Sequence, residues 1–164
     1  MRWKAISSDG FSNGNGTRQG SLLSPYLFAY YIRELLSVII NSKVGCNIGG
    51  KFYNVLAYAD DIVLLAPSWA RLQILLNLLH KCANDIDMTC NTEKTVCMIF
   101  QPTVRNKSIV RDFPLFKLGD CELKSVDEFK HLGHIINNKF NDNDDIRCEI
   151  RSFYTHKWRQ KTLR

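Results

Sequence analysis

The stretch Val55-Leu56-Ala57-Tyr58-Ala59-Asp60-Asp61-Ile62-Val63-Leu64-Leu65-Ala66 places two apolar segments, Val55 to Ala59 and Ile62 to Ala66, directly on either side of an aspartate pair. Segments that short and that close together are most simply built as a β-hairpin with both carboxylates at its tip. Adjacent carboxylates repel each other, and the arrangement becomes favourable when divalent cations neutralise them. Magnesium suits such a pair, because it takes oxygen ligands and commonly shares a few carboxylates with substrate phosphates. Aspartate is also a common filler of solvent-exposed turns, so the meaning of the pair rests on the chain around it.

Working outward, Pro67 ends the second strand, and Ser68 is placed to cap a helix with Leu72, Leu75, Leu76, Leu79 and Ile86 on one face. On the other side, Val44 to Ile48 and Phe52 to Leu56 read as short strands around the Gly49-Gly50 turn. Before them, Ser24 has the character of an N-cap and Pro25 of a first-turn residue. Phe28, Tyr31, Ile32, Leu35, Leu36, Ile39 and Ile40 then recur at helical spacing. Residues 7 to 20, rich in Ser, Asn and Gly, read as a loop that turns tightly or approaches a ligand closely. Towards the C-terminus, Val96 to Phe100 reads as a strand. Phe116 to Leu118 and Cys121 to Leu123 form a small hairpin turning at Gly119-Asp120, and Phe129 to Ile136 forms a further extended segment. Helices mixed with mainly antiparallel strands give an α+β fold class.

At 164 residues with 45% hydrophobic and 11% aromatic content, the chain is long enough for one core of ordinary size. The net charge of +6 is concentrated at the C-terminus, where Arg147, Arg151, Lys157, Arg159, Lys161 and Arg164 face Glu149 alone. Such a tail suits a polyanion such as nucleic acid, although a solvated charged face is the commoner meaning of such a run. Cys46, Cys82, Cys90, Cys97, Cys121 and Cys148 contain no C-x-x-C pair and no spacing that fits a zinc site. Reduced thiols are therefore expected. With no secretory leader in residues 1–10 and no membrane-length apolar run, the expectation is a soluble, intracellular protein without a membrane partner.

Tyr58-Ala59-Asp60-Asp61 followed by Ile62-Val63-Leu64-Leu65 resembles the catalytic hairpin of reverse transcriptases, especially those of LINE-like, non-LTR retrotransposons. Three further blocks fall in the family's order. Asn15-Gly16-Thr17-Arg18-Gln19-Gly20-Ser21-Leu22-Leu23-Ser24-Pro25 resembles the loop and helix start that precede the hairpin. Asn91-Thr92-Glu93-Lys94-Thr95 resembles the segment whose lysine lies near the nucleotide phosphates. Phe129-Lys130-His131-Leu132-Gly133-His134-Ile135-Ile136 resembles the primer grip. The resemblance spans roughly Trp3 to Tyr154. It implies a partial polymerase palm, with an antiparallel sheet and packed helices, and fragments of fingers over residues 1–140. Residues 141–164 would then be a basic helical tail that starts the thumb.

The resemblance also implies the chemistry. In the family, two Mg2+ ions, for which Mn2+ can substitute, lie between the hairpin aspartates and an aspartate of an earlier palm strand. They join the primer 3′-hydroxyl to the α-phosphate of a deoxynucleoside triphosphate on an RNA template. Carried over, Asp60 is the principal metal ligand and Asp61 an auxiliary one, while Tyr58 and Ala59 shape the floor beneath the primer end. Gln19 and Gly20 meet the nucleotide, Arg18 a phosphate, and Lys94 the leaving pyrophosphate. The departure from the family is the earlier aspartate. Asp9 is the only acidic residue before the Gly-rich loop, and its Ser7-Ser8-Asp9-Gly10 setting does not resemble that strand. These residues alone are therefore expected to be inactive or nearly so. The rival expectation is a non-catalytic nucleic-acid-binding remnant that uses the basic tail with Tyr154 and Trp158. Oligomeric state is open at this point.

Overall fold

The computed structural model describes residues 2–3, 6–7, 22–100 and 114–161, with side chains described for 22–100 and 114–154. The chain forms two compact units, Met1–Leu65 and Ala66–Arg164, so the single core expected from length is divided. Helices are mixed with short, mostly antiparallel strands in two-stranded sheets. No helix among the described residues is long and apolar enough to cross a membrane.

In the first unit, β1 (Arg2–Trp3) pairs with β2 (Ile6–Ser7), both antiparallel, ahead of helix α1 (Ser24–Asn41). Ser24 is the first helical residue rather than the cap. Leu23 stands at the N-cap with helical torsions, its carbonyl accepting the Leu27 amide, and Pro25 lies in the first turn, where an amide hydrogen has no helical partner anyway. Ile32, Leu35 and Ile39, spaced i, i+3 and i+7, are the buried face, whereas Tyr31 and Ile40 are 44% and 54% exposed. The covered strip is thus narrower than the periodic apolar stripe in the sequence. Burying a side chain such as Ile39 completely contributes about 1.5–3 kcal/mol.

After α1, β3 (Cys46–Ile48) and β4 (Lys51–Tyr53) pair antiparallel around Gly49-Gly50, both with positive φ, as a two-residue hairpin turn with right-handed strand twist requires. Asn54 interrupts the extended chain, so Val55 and Leu56 belong to the next hairpin, β5 (Val55–Tyr58) with β6 (Asp61–Leu64).

In the second unit, Ser68 occupies the N-cap of α2 (Trp69–Asp85) in extended conformation, its carbonyl accepting the Leu72 amide. Its hydroxyl makes no capping bond. Leu75, Leu76, Leu79, Cys82 and Ala83 are buried, Leu72 and Ile86 half-buried. They share the core with Cys97, Phe116, Leu118 and Leu123. The hairpin of β8 (Lys117–Leu118) and β9 (Cys121–Glu122) turns at Gly119-Asp120 as expected. Gln73 of α2 docks it: its side-chain amide nitrogen, Nε2, donates to the Lys117 carbonyl at 2.7 Å and its Oε1 accepts the Lys117 amide at 3.0 Å. A side-chain amide here takes the place of a neighbouring strand.

The expected strand from Val96 to Phe100 is shorter, β7 (Val96–Cys97), and pairs in parallel with β10 (Lys124–Ser125). The extended segment expected over Phe129 to Ile136 is instead a hairpin, β11 (Glu128–His131) with β12 (His134–Asn137). Leu132 and Gly133, both at positive φ, make its turn. Helix α3 (Asn143–Lys161) follows, with Asp144 and Asp145 in its first turn, where the helix dipole favours negative charge.

Candidate active site

The β5–β6 hairpin pairs Val55 with Leu64, Leu56 with Val63, Ala57 with Ile62 and Tyr58 with Asp61. The turn is therefore Ala59-Asp60, and Asp61 is already the first strand residue rather than a second tip residue. Side chains alternate across a strand, and Asp60 and Asp61 leave consecutive positions at the turn and strand start. Both are exposed, as is Tyr58 at 67%. Ala59 has φ of +51°, a left-handed conformation that costs a residue with a Cβ about 1–2 kcal/mol. A two-residue hairpin demands that geometry, and the paired strands hold it.

What fixes the base of this hairpin is a polar joint with α1. Asn54, 2% exposed, donates through Nδ2 to the Ile39 carbonyl at 2.6 Å and lies 3.4 Å from the Ser42 hydroxyl. The Ser42 hydroxyl donates to the same Ile39 carbonyl at 2.7 Å. The Asn54 carbonyl in turn accepts the Leu65 amide at 2.9 Å, which closes the far end of the hairpin. Gly45 packs against this joint with φ of +134°; a Cβ there would lie 2.4 Å from that of Asn54 and 3.2 Å from the Leu65 carbonyl oxygen. The helix C-terminus, Gly45 and Asn54 together anchor the base of the hairpin, whose two aspartates are exposed. Sequence reasoning missed this joint. The available signals were a lone asparagine between two apolar runs and a glycine just after a helix.

Among the described residues, no Lys or Arg pairs with Asp60 or Asp61. Two outward carboxylates with no protein counter-cation are a donor set that fits a hard, oxygen-seeking divalent ion. Lys94 belongs to the second unit, on an exposed turn built by Asn91. The Asn91 side-chain oxygen accepts the Lys94 amide at 3.1 Å, and its carbonyl accepts the Thr95 amide and hydroxyl. Arg18, Gln19 and Gly20 lie outside the described residues. The structure thus brings Tyr58, Ala59, Asp60 and Asp61 together. The Phe129 to Ile136 block forms most of the β11–β12 hairpin, which exposes Phe129, Leu132 and Ile136.

Comparison with known proteins gives concordant results. The family described as "Reverse transcriptase (RNA-dependent DNA polymerase)" matches residues 2–136. The chain is 32% identical, over 130 residues, to the retrovirus-related Pol polyprotein from type-2 retrotransposable element R2DM of Drosophila melanogaster, covering 77% of this chain and 12% of that protein. A Pol polyprotein from type-1 retrotransposable element R2 of Popillia japonica is 32% identical over 130 residues, covering 73% of this chain and 20% of its own length. That of Nasonia vitripennis is 28% identical over 127 residues, covering 75% and 12% respectively. The chain therefore spans between about an eighth and a fifth of the length of these relatives.

Proposed function

The chain belongs to the reverse transcriptase family of LINE-like retrotransposons, and on that premise we propose that it is part of an RNA-directed DNA polymerase whose metal-binding hairpin is Tyr58 to Asp61. The observation that carries this reading is the exposed Asp60-Asp61 pair at a hairpin turn, held by the Asn54–Gly45 joint and free of any described protein cation. The hairpin, with α1 beneath it, corresponds in this reading to a polymerase palm.

The reaction is nucleotidyl transfer: the primer 3′-hydroxyl attacks the α-phosphate of a deoxynucleoside triphosphate, a new phosphodiester forms, and pyrophosphate leaves. Magnesium, when bound, supplies positive charge to the phosphate oxygens and lowers the pKa of the attacking hydroxyl. Asp60, in the turn itself, and Asp61, at the start of the strand, would hold that charge at the hairpin. Tyr58, beside Asp61 across the ladder, offers an aromatic surface to the primer end. By the family resemblance alone, Lys94 is proposed to neutralise the departing pyrophosphate. Arg18, Gln19 and Gly20 are proposed to contact the incoming nucleotide by the family resemblance. Only Asp60 and Asp61 in this sequence match the family's metal-ligating aspartates, so these 164 residues by themselves are proposed to lack polymerase activity.

The test is magnesium-dependent primer extension on an RNA template. It compares this chain with a longer protein that adds the family's upstream palm strand, each with and without Asp60→Asn. Extension by the longer protein alone, reduced about 100-fold or more by Asp60→Asn, is expected from the loss of a charge-stabilising contact. Equal extension by the longer protein and its Asp60→Asn variant would refute the assignment. Extension by the 164 residues alone would refute their proposed inactivity.

A nucleic-acid contact without catalysis is favoured at one place. Exposed Arg147 and Arg151, with Phe153 and Tyr154 at 67% and 58% exposure, lie on α3. A basic helix with exposed rings suits phosphates and unstacked bases. Binding that weakens steeply with salt and flattens on neutralising both arginines is the expected signature.

A further inference from the structure

Away from the aspartate hairpin, β12 and the first turns of α3 bring together His134, Asp145 and Glu149, one ligand atom from each lying within 4.8 Å of the others. We propose that these three side chains form a second divalent-metal site, for a first-row transition ion bound by one imidazole and two carboxylates. The ligand spacing is the first support. His134 Nδ1 and Asp145 Oδ2 are 3.1 Å apart. Ligands about 2.1 Å from a shared ion and at right angles to each other stand about 3.0 Å apart, and in a tetrahedron about 3.4 Å apart. Glu149 follows Asp145 by four residues, so both carboxylates project from one face of α3, and the Glu149 oxygen lies within 4.8 Å of the other two ligand atoms.

The orientation of the set is the second support. Asp145, with its side chain 21% exposed, uses Oδ1 to accept the Ile135 amide at 2.8 Å, which fixes the carboxylate and leaves Oδ2 directed at the imidazole. A backbone bond on the non-ligating oxygen is how metal-binding carboxylates are commonly held. The hydrogen bond between Nδ1 and Oδ2 is replaced on binding: the proton that bridges them leaves Nδ1 for Nε2 or solvent, Nδ1 and Oδ2 would each give a lone pair to the ion, and solvent would take the remaining positions. Mixed imidazole and carboxylate ligation with open positions suits manganese or zinc better than the all-oxygen preference of magnesium. Lys130, near Asp145, and the positive end of the α3 dipole oppose the ion, while two carboxylates outweigh them. Asp144 is taken up by Arg147 at 3.5 Å and is not part of the set. A bound ion would clamp α3, with its basic face, to the β11–β12 hairpin.

The experiment is an electron paramagnetic resonance titration with Mn2+ on the full 164-residue chain carrying Asp60→Asn and Asp61→Asn, which removes the hairpin carboxylates. Manganese is the probe because a hard ion ignores the six thiols that would compete for zinc. One bound Mn2+ per chain is expected, weakened at least about tenfold by His134→Gln and by Glu149→Gln. Both side chains are exposed, so the variants keep their fold, which circular dichroism checks. No uptake at about 1 mM Mn2+, or either variant binding as tightly as the parent, overturns the three-ligand site and leaves Asp145 a structural tie between β12 and α3.

Discussion

Gly45→Ala tests the joint that anchors the aspartate hairpin. Two costs act at this position. The backbone φ of +134° is one that side-chain-bearing residues rarely adopt, which costs about 1–3 kcal/mol. The new Cβ would also stand 2.4 Å from the Asn54 Cβ and 3.0 Å from its Cα, and neither atom is the end of a flexible chain. Such overpacking costs about 1–3 kcal/mol more, since backbone must shift. The sum of about 2–6 kcal/mol is a large share of the roughly 5–15 kcal/mol that holds an ordinary domain folded. Gly49→Ala is the control: its φ is +60° with nothing within 4 Å, so only the left-handed penalty of about 1–2 kcal/mol applies. Urea denaturation followed by far-ultraviolet circular dichroism reads both, and hydrogen exchange of the β5 and β6 amides locates the damage. Faster exchange in that hairpin is expected for Gly45→Ala and not for Gly49→Ala. Equal destabilisation by the two substitutions would refute the close approach of Gly45 to Asn54.

Gln73→Leu removes both hydrogen bonds to the Lys117 backbone and should destabilise the second unit by about 2 kcal/mol, measured by urea midpoint. Burial pushes the Cys97 thiol up to about 11 and raises those of Cys90 and Cys82, the last helped by Asp85. In iodoacetamide labelling near pH 8 read by mass spectrometry, exposed Cys121 should react before Cys97; equal rates would contradict the described burial. The Ile135 amide, and then the His134 ring, hold the Asp145 carboxyl below its ordinary value of 3.8. The unfolded chain therefore binds more protons in acid, so this contribution is present above pH 3.8 and is lost as pH falls through the lower folded value. Asp145→Asn should flatten the stability profile in that acid window; an unchanged profile would contradict the two hydrogen bonds.

The family motifs were legible because they are local. Tyr58-Ala59-Asp60-Asp61 between two apolar runs specifies a hairpin by itself, and the helical spacing of Ile32, Leu35 and Ile39, or of Leu75, Leu76 and Leu79, specifies a buried helical face. Turn chemistry was equally local at Gly49-Gly50 and Gly119-Asp120. Periodicity alone could not give the register that makes Asp60 a turn residue and Asp61 a paired one, because a one-residue shift preserves the same apolar runs. Nor could it show that Phe129 to Ile136 folds back on itself, since an extended strand and a two-residue hairpin share the same composition.

Tertiary structure decided which polar residues matter. Asn54 reads as a loop residue until the Ile39 carbonyl is found 2.6 Å away, and Gly45 as punctuation until its missing Cβ makes room for Asn54. Asp145 and Glu149 stand four apart on α3, but nothing in the sequence ties them to His134, which comes from a different element. The sequence by itself determined the elements and the aspartate pair, through neighbour-to-neighbour sterics and the period of apolar residues. Which faces are covered, where the hairpin is anchored and which carboxylate meets which partner depend on contacts between residues distant in the chain, and those exist only once each unit has packed its own core.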